Sequence, residues 1–256
     1  MENGAKIIAL CGKGGVGKTS LSAAIIKTLL DAHPDKRVLA IDADPSVGLA
    51  TALGVKENGT INDIREEFIQ MADSGSEDNA LAMLARAKSM ILDELVEEGN
   101  LAFLAIGRPE SAGCYCSVND YLRDLITMVA DKFDFVVIDG EAGIEQINRR
   151  VMDKVNYLLL VSDASRKGLD VISKIKDVGD KLLEYEKCGA VINRLDDLSV
   201  AERIETGKME ILTVIGSDNE LARYDIEGKS ILELPADAKI IKGAKEILRK
   251  MDIEVA

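Results

Sequence analysis

The sequence predicts an α/β fold built on a single doubly wound, mainly parallel sheet flanked by helices. Two observations carry this expectation. Short apolar runs without polar alternation recur along the whole chain, and segments with helical periodicity separate them. A run that does not alternate is what a strand covered on both faces looks like, because neither face meets water. The chain has 256 residues, and residues 1–256 read as one domain with a helical insertion at about 60–100.

The predicted strands, in order, are Lys6–Cys11, Arg37–Ile41, Leu101–Ile106, Phe135–Ile138, Tyr157–Val161, Gly189–Ile192 and Ile211–Ile215. Between the first two, Leu21, Ala24, Ile25, Thr28 and Leu29 recur at helical spacing. The stretch Thr60–Asn100 breaks the alternation of strand and helix. It reads as two helices, Ile61–Met71 and Asn79–Glu97, around a polar turn at Asp73–Asp78. Val171, Ile172, Ile175, Val178 and Leu182 mark a further helix. Internal repeats and low-complexity linkers are absent from the sequence.

Composition narrows the function. The formal net charge is −13, and no Lys/Arg run is longer than two residues, as at Arg149–Arg150. Nucleic-acid binding draws its affinity from cations that neutralise phosphates. A chain this acidic is therefore expected to bind no nucleic acid, and no anionic membrane surface. The C-terminal segment Ile240–Ile253 is read as lacking the strongly basic amphipathic character of a surface anchor. Met1–Lys6 is short and polar, unlike a targeting signal, and no apolar run approaches the ~20 residues that span a bilayer. The expected location is the cytoplasm, where the four cysteines stay reduced as ligands, reactive thiols or buried small hydrophobes.

Gly12-Lys13-Gly14-Gly15-Val16-Gly17-Lys18-Thr19 follows a predicted strand and opens a predicted helix. That is the context a phosphate-cradling loop requires. Glycines let backbone N–H groups converge on phosphate oxygens with no Cβ in the way. Lys18 brings a point charge to the β- and γ-phosphates, and the Thr19 hydroxyl is a ligand for Mg²⁺. The expected nucleotide contacts run from Gly12 through Thr19 to Ser20. They imply binding of ATP or ADP with Mg²⁺ and an ATP-hydrolysing enzyme. Phe135-Val136-Val137-Ile138-Asp139 is an apolar strand ending in a carboxylate, which suits Asp139 to hold Mg²⁺ through water.

Lys13 is a second lysine inside that loop, and with it the loop resembles the deviant Walker A motif. The nitrogenase iron protein, the Min and Par partitioning ATPases and several metallocentre maturation ATPases share that motif. The resemblance implies that Lys13 reaches across a dimer interface to the partner's nucleotide, so that ATP joins two subunits. It likewise implies that Asp42, in Asp42-Ala43-Asp44-Pro45, supports the water shell of Mg²⁺ and that Asp44 orients the attacking water. Lys13, Lys18 and Asp44 are thus the expected catalytic set. Gly140–Gln146 resembles the second switch of that superfamily. Asn193 matches its adenine-reading residue, although a plain turn residue fits the same position.

Cys114 and Cys116 follow the strand Leu101–Ile106. In an extended segment residues two apart point the same way, so the pair is suited to present two thiolates to one metal ion. Cys11 lies beside the phosphate loop, Cys188 begins a later strand, and His33 stands before Pro34. Four ligands close a tetrahedral site, and a symmetric homodimer supplies two from each subunit. Two buried thiols under a loop are the alternative. Together with Gly107-Arg108-Pro109-Glu110 and Asp139-Gly140-Glu141-Ala142-Gly143-Ile144-Glu145, the Gly113–Cys116 loop resembles the CooC-type family. Its members insert nickel into carbon monoxide dehydrogenase and acetyl-CoA synthase. The resemblance implies a metallochaperone carrying nickel or zinc to such a client. Two departures are visible: Gln146 stands where members often carry histidine, and Gly216-Ser217-Asp218 lacks the proline of relatives. An iron–sulfur carrier or electron-donating ATPase and a partitioning ATPase are the competing readings.

Overall fold

The computed structural model describes residues 4–44, 46, 48–73, 80–108, 116–141, 143, 151–207 and 209–255. The elements follow one another as β1 (Lys6–Gly12), α1 (Lys18–Ala32), β2 (Val38–Asp42), α2 (Gly48–Leu53), α3 (Ile61–Asp73) and α4 (Ala80–Glu94). Next come β3 (Val96–Glu98), β4 (Leu101–Ala105), α5 (Cys116–Ala130), β5 (Phe135–Asp139) and β6 (Lys154–Ser162). The chain then forms α6 (Arg166–Leu182), β7 (Glu184–Leu195), β8 (Ile211–Gly216), α7 (Asn219–Glu227) and α8 (Lys239–Lys250).

Eight strands make one sheet in the order β3-β4-β2-β5-β1-β6-β7-β8. Every pairing is parallel except β3 with β4. The unbroken apolar runs have a direct cause, since alternate residues of each strand enter different cores. Ile8, Leu10, Val38 and Ala40 pack with α1, α2 and α8, whereas Ala9, Cys11, Leu39 and Ile41 pack with α3, α5 and α6. Both faces are apolar because both are covered.

Two sequence readings need correction. The helix expected over Asn79–Glu97 ends at Glu94, and Val96–Glu98 instead forms an antiparallel edge strand. Gly99, at φ 61, turns the chain tightly back into β4, a backbone region in which glycine carries no steric penalty. The polar turn expected at Asp73–Asp78 falls, beyond Asp73, outside the described residues. The C-terminal helix α8 is more basic and more amphipathic than its sequence was read to be, with five Lys/Arg against one glutamate. Its apolar face is committed nonetheless: Ile240, Ile241, Ala244, Ile247 and Leu248 lie in the core. A helix packed this way has no free apolar face to lay on a lipid surface.

Candidate functional site

The phosphate loop sits where β1 gives way to α1, at the C-terminal edge of the sheet, which is where open α/β sheets bind ligands. Gly12 carries φ 144, and a Cβ there would stand 2.0 Å from the Val161 carbonyl oxygen of β6. Only glycine fits. Gly17 caps α1 in the left-handed region at φ 86, with no side-chain hydrogen bond to the helix end and no acidic residue in the first turn. The leading N–H groups of α1 and its partial positive charge therefore face the loop uncapped, as an anion site requires. By contrast α6 is closed by Ser165, whose oxygen accepts from the Gly168 N–H.

Charge is arranged around this loop by strand register. Asp42 and Asp139 end adjacent strands in matching positions, which sets two buried carboxylates side by side. Asp42 accepts the Asp44 and Leu49 N–H groups at 3.0 and 2.8 Å. Ser22 donates to Asp139 Oδ1 at 2.9 Å. Burial first, and then the facing Asp139, push the Asp42 carboxyl up to about 7. Burial raises Asp139 to about 6 against the hydrogen bonds of Thr19 and Ser22 and the Lys18 charge. Asp139 Oδ2 is buried without a hydrogen-bond partner among the described residues. An orphaned carboxylate oxygen beside a second carboxylate and a threonine hydroxyl is a donor set that fits a hydrated divalent cation.

The lysines hold positions the sequence did not reveal. Lys18 is 8% exposed and curls over the loop, donating to the carbonyls of Gly12 and Lys13 at 3.4 and 3.3 Å. Lys13 is ion-paired within its own subunit to Asp163, just past the end of β6. Asp44 accepts from the Ser46 N–H and hydroxyl at 2.9 and 2.7 Å. Asn193, 4% exposed, donates to the Val16 carbonyl at 2.8 Å. Its neighbour Arg194, at φ 59, donates to the Gly15 carbonyl at 2.9 Å. These two residues, with Gly17, Ser20 and Gly216, line a cleft of about 350 Å³ beside the loop, room enough for a nucleotide base. Asp218 borders it with its carboxylate already used by the Glu220, Leu221 and Ile240 N–H groups.

The structure thus gathers residues 12–20, Asp42, Asp44, Asp139 and Asn193 at one edge. Asp163, Arg194 and Ser22 belong to the same cluster and were missed. For Asp163 a signal existed, since it follows an apolar strand as Asp139 ends one. Cys114, Gln146 and most of the segment Gly140–Gln146 lie outside the described residues. Cys116 is the first residue of α5; the conformation expected of the pair falls, at Cys114, outside the described residues. The crossover from β4 brings the start of α5 to the same sheet edge as the phosphate loop. Cys188 lies inside β7 rather than at its start, half-buried, and burial lifts its thiol to about 11. His33 packs its ring 5.2 Å from Phe135. Among the described residues no group of three or more His, Cys, Asp or Glu forms a metal site.

A family model described as an AAA domain matches residues 5–189, the span from β1 into β7. The chain belongs to this AAA family. An ATP-binding protein of Methanocaldococcus jannaschii is 36% identical to it over 96% of the chain and 98% of the relative. The carbon monoxide dehydrogenase accessory protein CooC of Rhodospirillum rubrum is 27% identical over 89% of each. In fold, the AAA chain is similar to the cell division ATPase MinD of Pyrococcus furiosus, with a TM-score of 0.67 at 23% identity over 96% of this chain and 99% of that one. This AAA protein is a P-loop ATPase. No helix among its described residues is long and apolar enough to cross a membrane.

Proposed function

We propose that this ATPase is a cytoplasmic metallochaperone, one domain over residues 1–256, that delivers nickel to a carbon monoxide dehydrogenase/acetyl-CoA synthase client. The observation that carries the reading is the Cys114-x-Cys116 spacing in the sequence, in a chain that is 27% identical over 89% of its length to a carbon monoxide dehydrogenase accessory protein. In this reading two subunits each contribute Cys114 and Cys116 to one ion, nickel or zinc.

In the same reading each residue of the nucleotide site has a role. The backbone of residues 12–17, Lys18, Thr19 and Ser20 hold the phosphates, and Asn193 reads the base. Thr19, Asp42 and Asp139 would hold Mg²⁺, which would supply charge neutralisation at the β- and γ-phosphates. Asp44, released from Ser46, orients the attacking water. Lys13, released from Asp163, reaches the partner's nucleotide. Hydrolysis then weakens the interface and frees the metal.

The test is an anaerobic titration of nickel and of zinc into the protein, with and without a non-hydrolysable ATP analogue. One ion per dimer is expected, with affinity changed by nucleotide, because two ligands of one dimerisation equilibrium are reciprocally linked. Cys114→Ser or Cys116→Ser should remove most of that affinity, and Cys188→Ser should not. Equal affinities with and without nucleotide would sink the delivery cycle. A brown protein with iron–sulfur absorption would favour the cluster-carrying alternative.

A further inference from the structure

At the opposite pole from the nucleotide site lies an apolar cleft of about 330 Å³ between α4 and α5. The last turns of both helices and the residues just past them line it at i, i+3, i+4 and i+7, close to the spacing of one helical face. From α4 and its end these are Lys88, Ile91, Leu92 and, one residue beyond the helix, Leu95; from α5 and its end they are Leu125, Met128, Val129 and, in the turn beyond the helix, Lys132. Phe133 and Arg37 close its end. Because Arg37 directly precedes β2 and Phe133 precedes β5, the cleft belongs to the N-terminal edge of the sheet. A strand of five residues, roughly 17 Å, separates it from Asp42, so it is neither nucleotide nor phosphate-loop surface.

Two features define what it takes. Leu92 and Met128 remain 51% and 47% exposed, which places solvated apolar side chains on both walls. The rim is cationic on a molecule of net charge −13. Lys88 and Lys132 are exposed and form no ion pair among the described residues. Arg37 lies over the Phe133 ring at 4.5 Å and is bridged to Glu97, the one carboxylate lining the cleft. At physiological salt, charges beyond about 8 Å are largely screened, so a docking segment responds to the charges at this rim, with the exposed Asp93 and Asp131 flanking Leu92 and Lys132, rather than to the net charge of the molecule. The cleft is half open and at the small end of cavities that bury a whole small ligand, which suits it to receive side-chain anchors.

We propose that the α4–α5 cleft is a docking groove for an acidic amphipathic helix of a partner protein. Its apolar face seats between Leu92 and Met128, and its carboxylates meet Lys88 and Lys132. The proposal stands independently of the metal reading.

The probe is a fluorescein-labelled 18-residue helical peptide with leucines at i, i+4 and i+7 flanked by glutamates. It is titrated into the full chain and followed by anisotropy, beside the same peptide with lysines for glutamates. The acidic peptide is expected to bind at least about tenfold tighter than the basic one, more weakly as salt rises. Leu92→Asp with Met128→Asp should abolish binding, and Lys88→Glu with Lys132→Glu should invert the preference. All four positions are exposed, so the variants should fold, and unchanged ATP hydrolysis would verify it. Indifference to the peptide's charge, or binding that survives Leu92→Asp with Met128→Asp, would overturn the proposal. So would full displacement of the peptide by dodecanoate, which would make the cleft a small-amphiphile site, or capture of the chain by phosphatidylglycerol vesicles through Lys88 and Lys132.

Discussion

Asp163 holds Lys13 inside its own subunit, and a lysine so held is not free to reach another. If Lys13 acts across an interface, each subunit must first break this partly exposed ion pair, which is worth up to about 1 kcal/mol. Asp163→Asn should therefore tighten nucleotide-dependent self-association by roughly two- to thirtyfold, since two such pairs break per dimer, whereas Lys13→Ala should weaken it with single-subunit nucleotide affinity intact. Sedimentation velocity with a non-hydrolysable analogue measures both, and a looser dimer in Asp163→Asn would refute the competition. A second residue-scale consequence comes from Asp42 and Asp139, raised to about 7 and about 6. Between the ordinary carboxylate value near 4 and these values, the folded chain keeps protons that the unfolded chain has released. Folded stability without a divalent cation should thus fall as pH rises from about 4 to 7 and stay low above it. A carboxyl whose pKa is raised by one costs the fold about 1.4 kcal/mol once it is ionised, and each kcal/mol lowers Tm by about 2–4 °C at this chain length. In EDTA the Tm should be several degrees lower at pH 8 than at pH 5, Asp42→Asn should flatten the profile, and Mg²⁺ with ADP should restore the high-pH value. A flat profile for the parent protein would show that the two carboxylates do not confront one another. The phosphate loop and both aspartates were legible because each sits on a local pattern. Asp163 and Arg194 were not, because their partners lie some 150 residues away or more.

The strand-end elements are held by close backbone contacts rather than by side-chain chemistry. The tightest is the crossing of Gly12 with Val161, where any Cβ would meet a carbonyl oxygen at 2.0 Å. Gly12→Ala must push β1 and β6 apart at the phosphate loop. It should abolish ATP binding and lower stability by roughly 3 kcal/mol or more, as overpacking combined with a disfavoured φ does. A circular-dichroism melt and a nucleotide-binding assay test the two losses together; a variant that melts like the parent would mean the strands can yield there. Element type was legible where both faces of a strand are buried, as in β1, β2 and β5. It failed at Val96–Glu98, where three residues with two glutamates carry no periodicity. That edge strand exists because Gly99 and Asn100 turn the chain back along β4. Boundaries in β7 were also underestimated, since its first residues are largely exposed and polar and belong to the strand only through pairing with β6.

At the scale of the molecule, strand order decides what can act together, and no local pattern encodes it. That β5 inserts between β1 and β2 is what aligns Asp139 with Asp42. Trapping the cycle should expose the assembled state. Asp44→Ala with ATP is expected to elute as a stable dimer and to hydrolyse little, because a water-orienting carboxylate acts mainly in the transition state. Parent-rate hydrolysis by this variant would remove Asp44 from that role. The same strand order bears on how the protein is made. Strand β1 leaves the ribosome well before its two neighbours, β5 and β6, and the Ile7 N–H waits for Asn156, 149 residues downstream. At cellular rates of translation that interval is roughly 10–30 s, during which an apolar strand and its glycine loop have nothing to rest on. The phosphate loop is thus synthesised long before it is completed, because Asn193 and Arg194, which donate to its Val16 and Gly15 carbonyls, must first clear the exit tunnel.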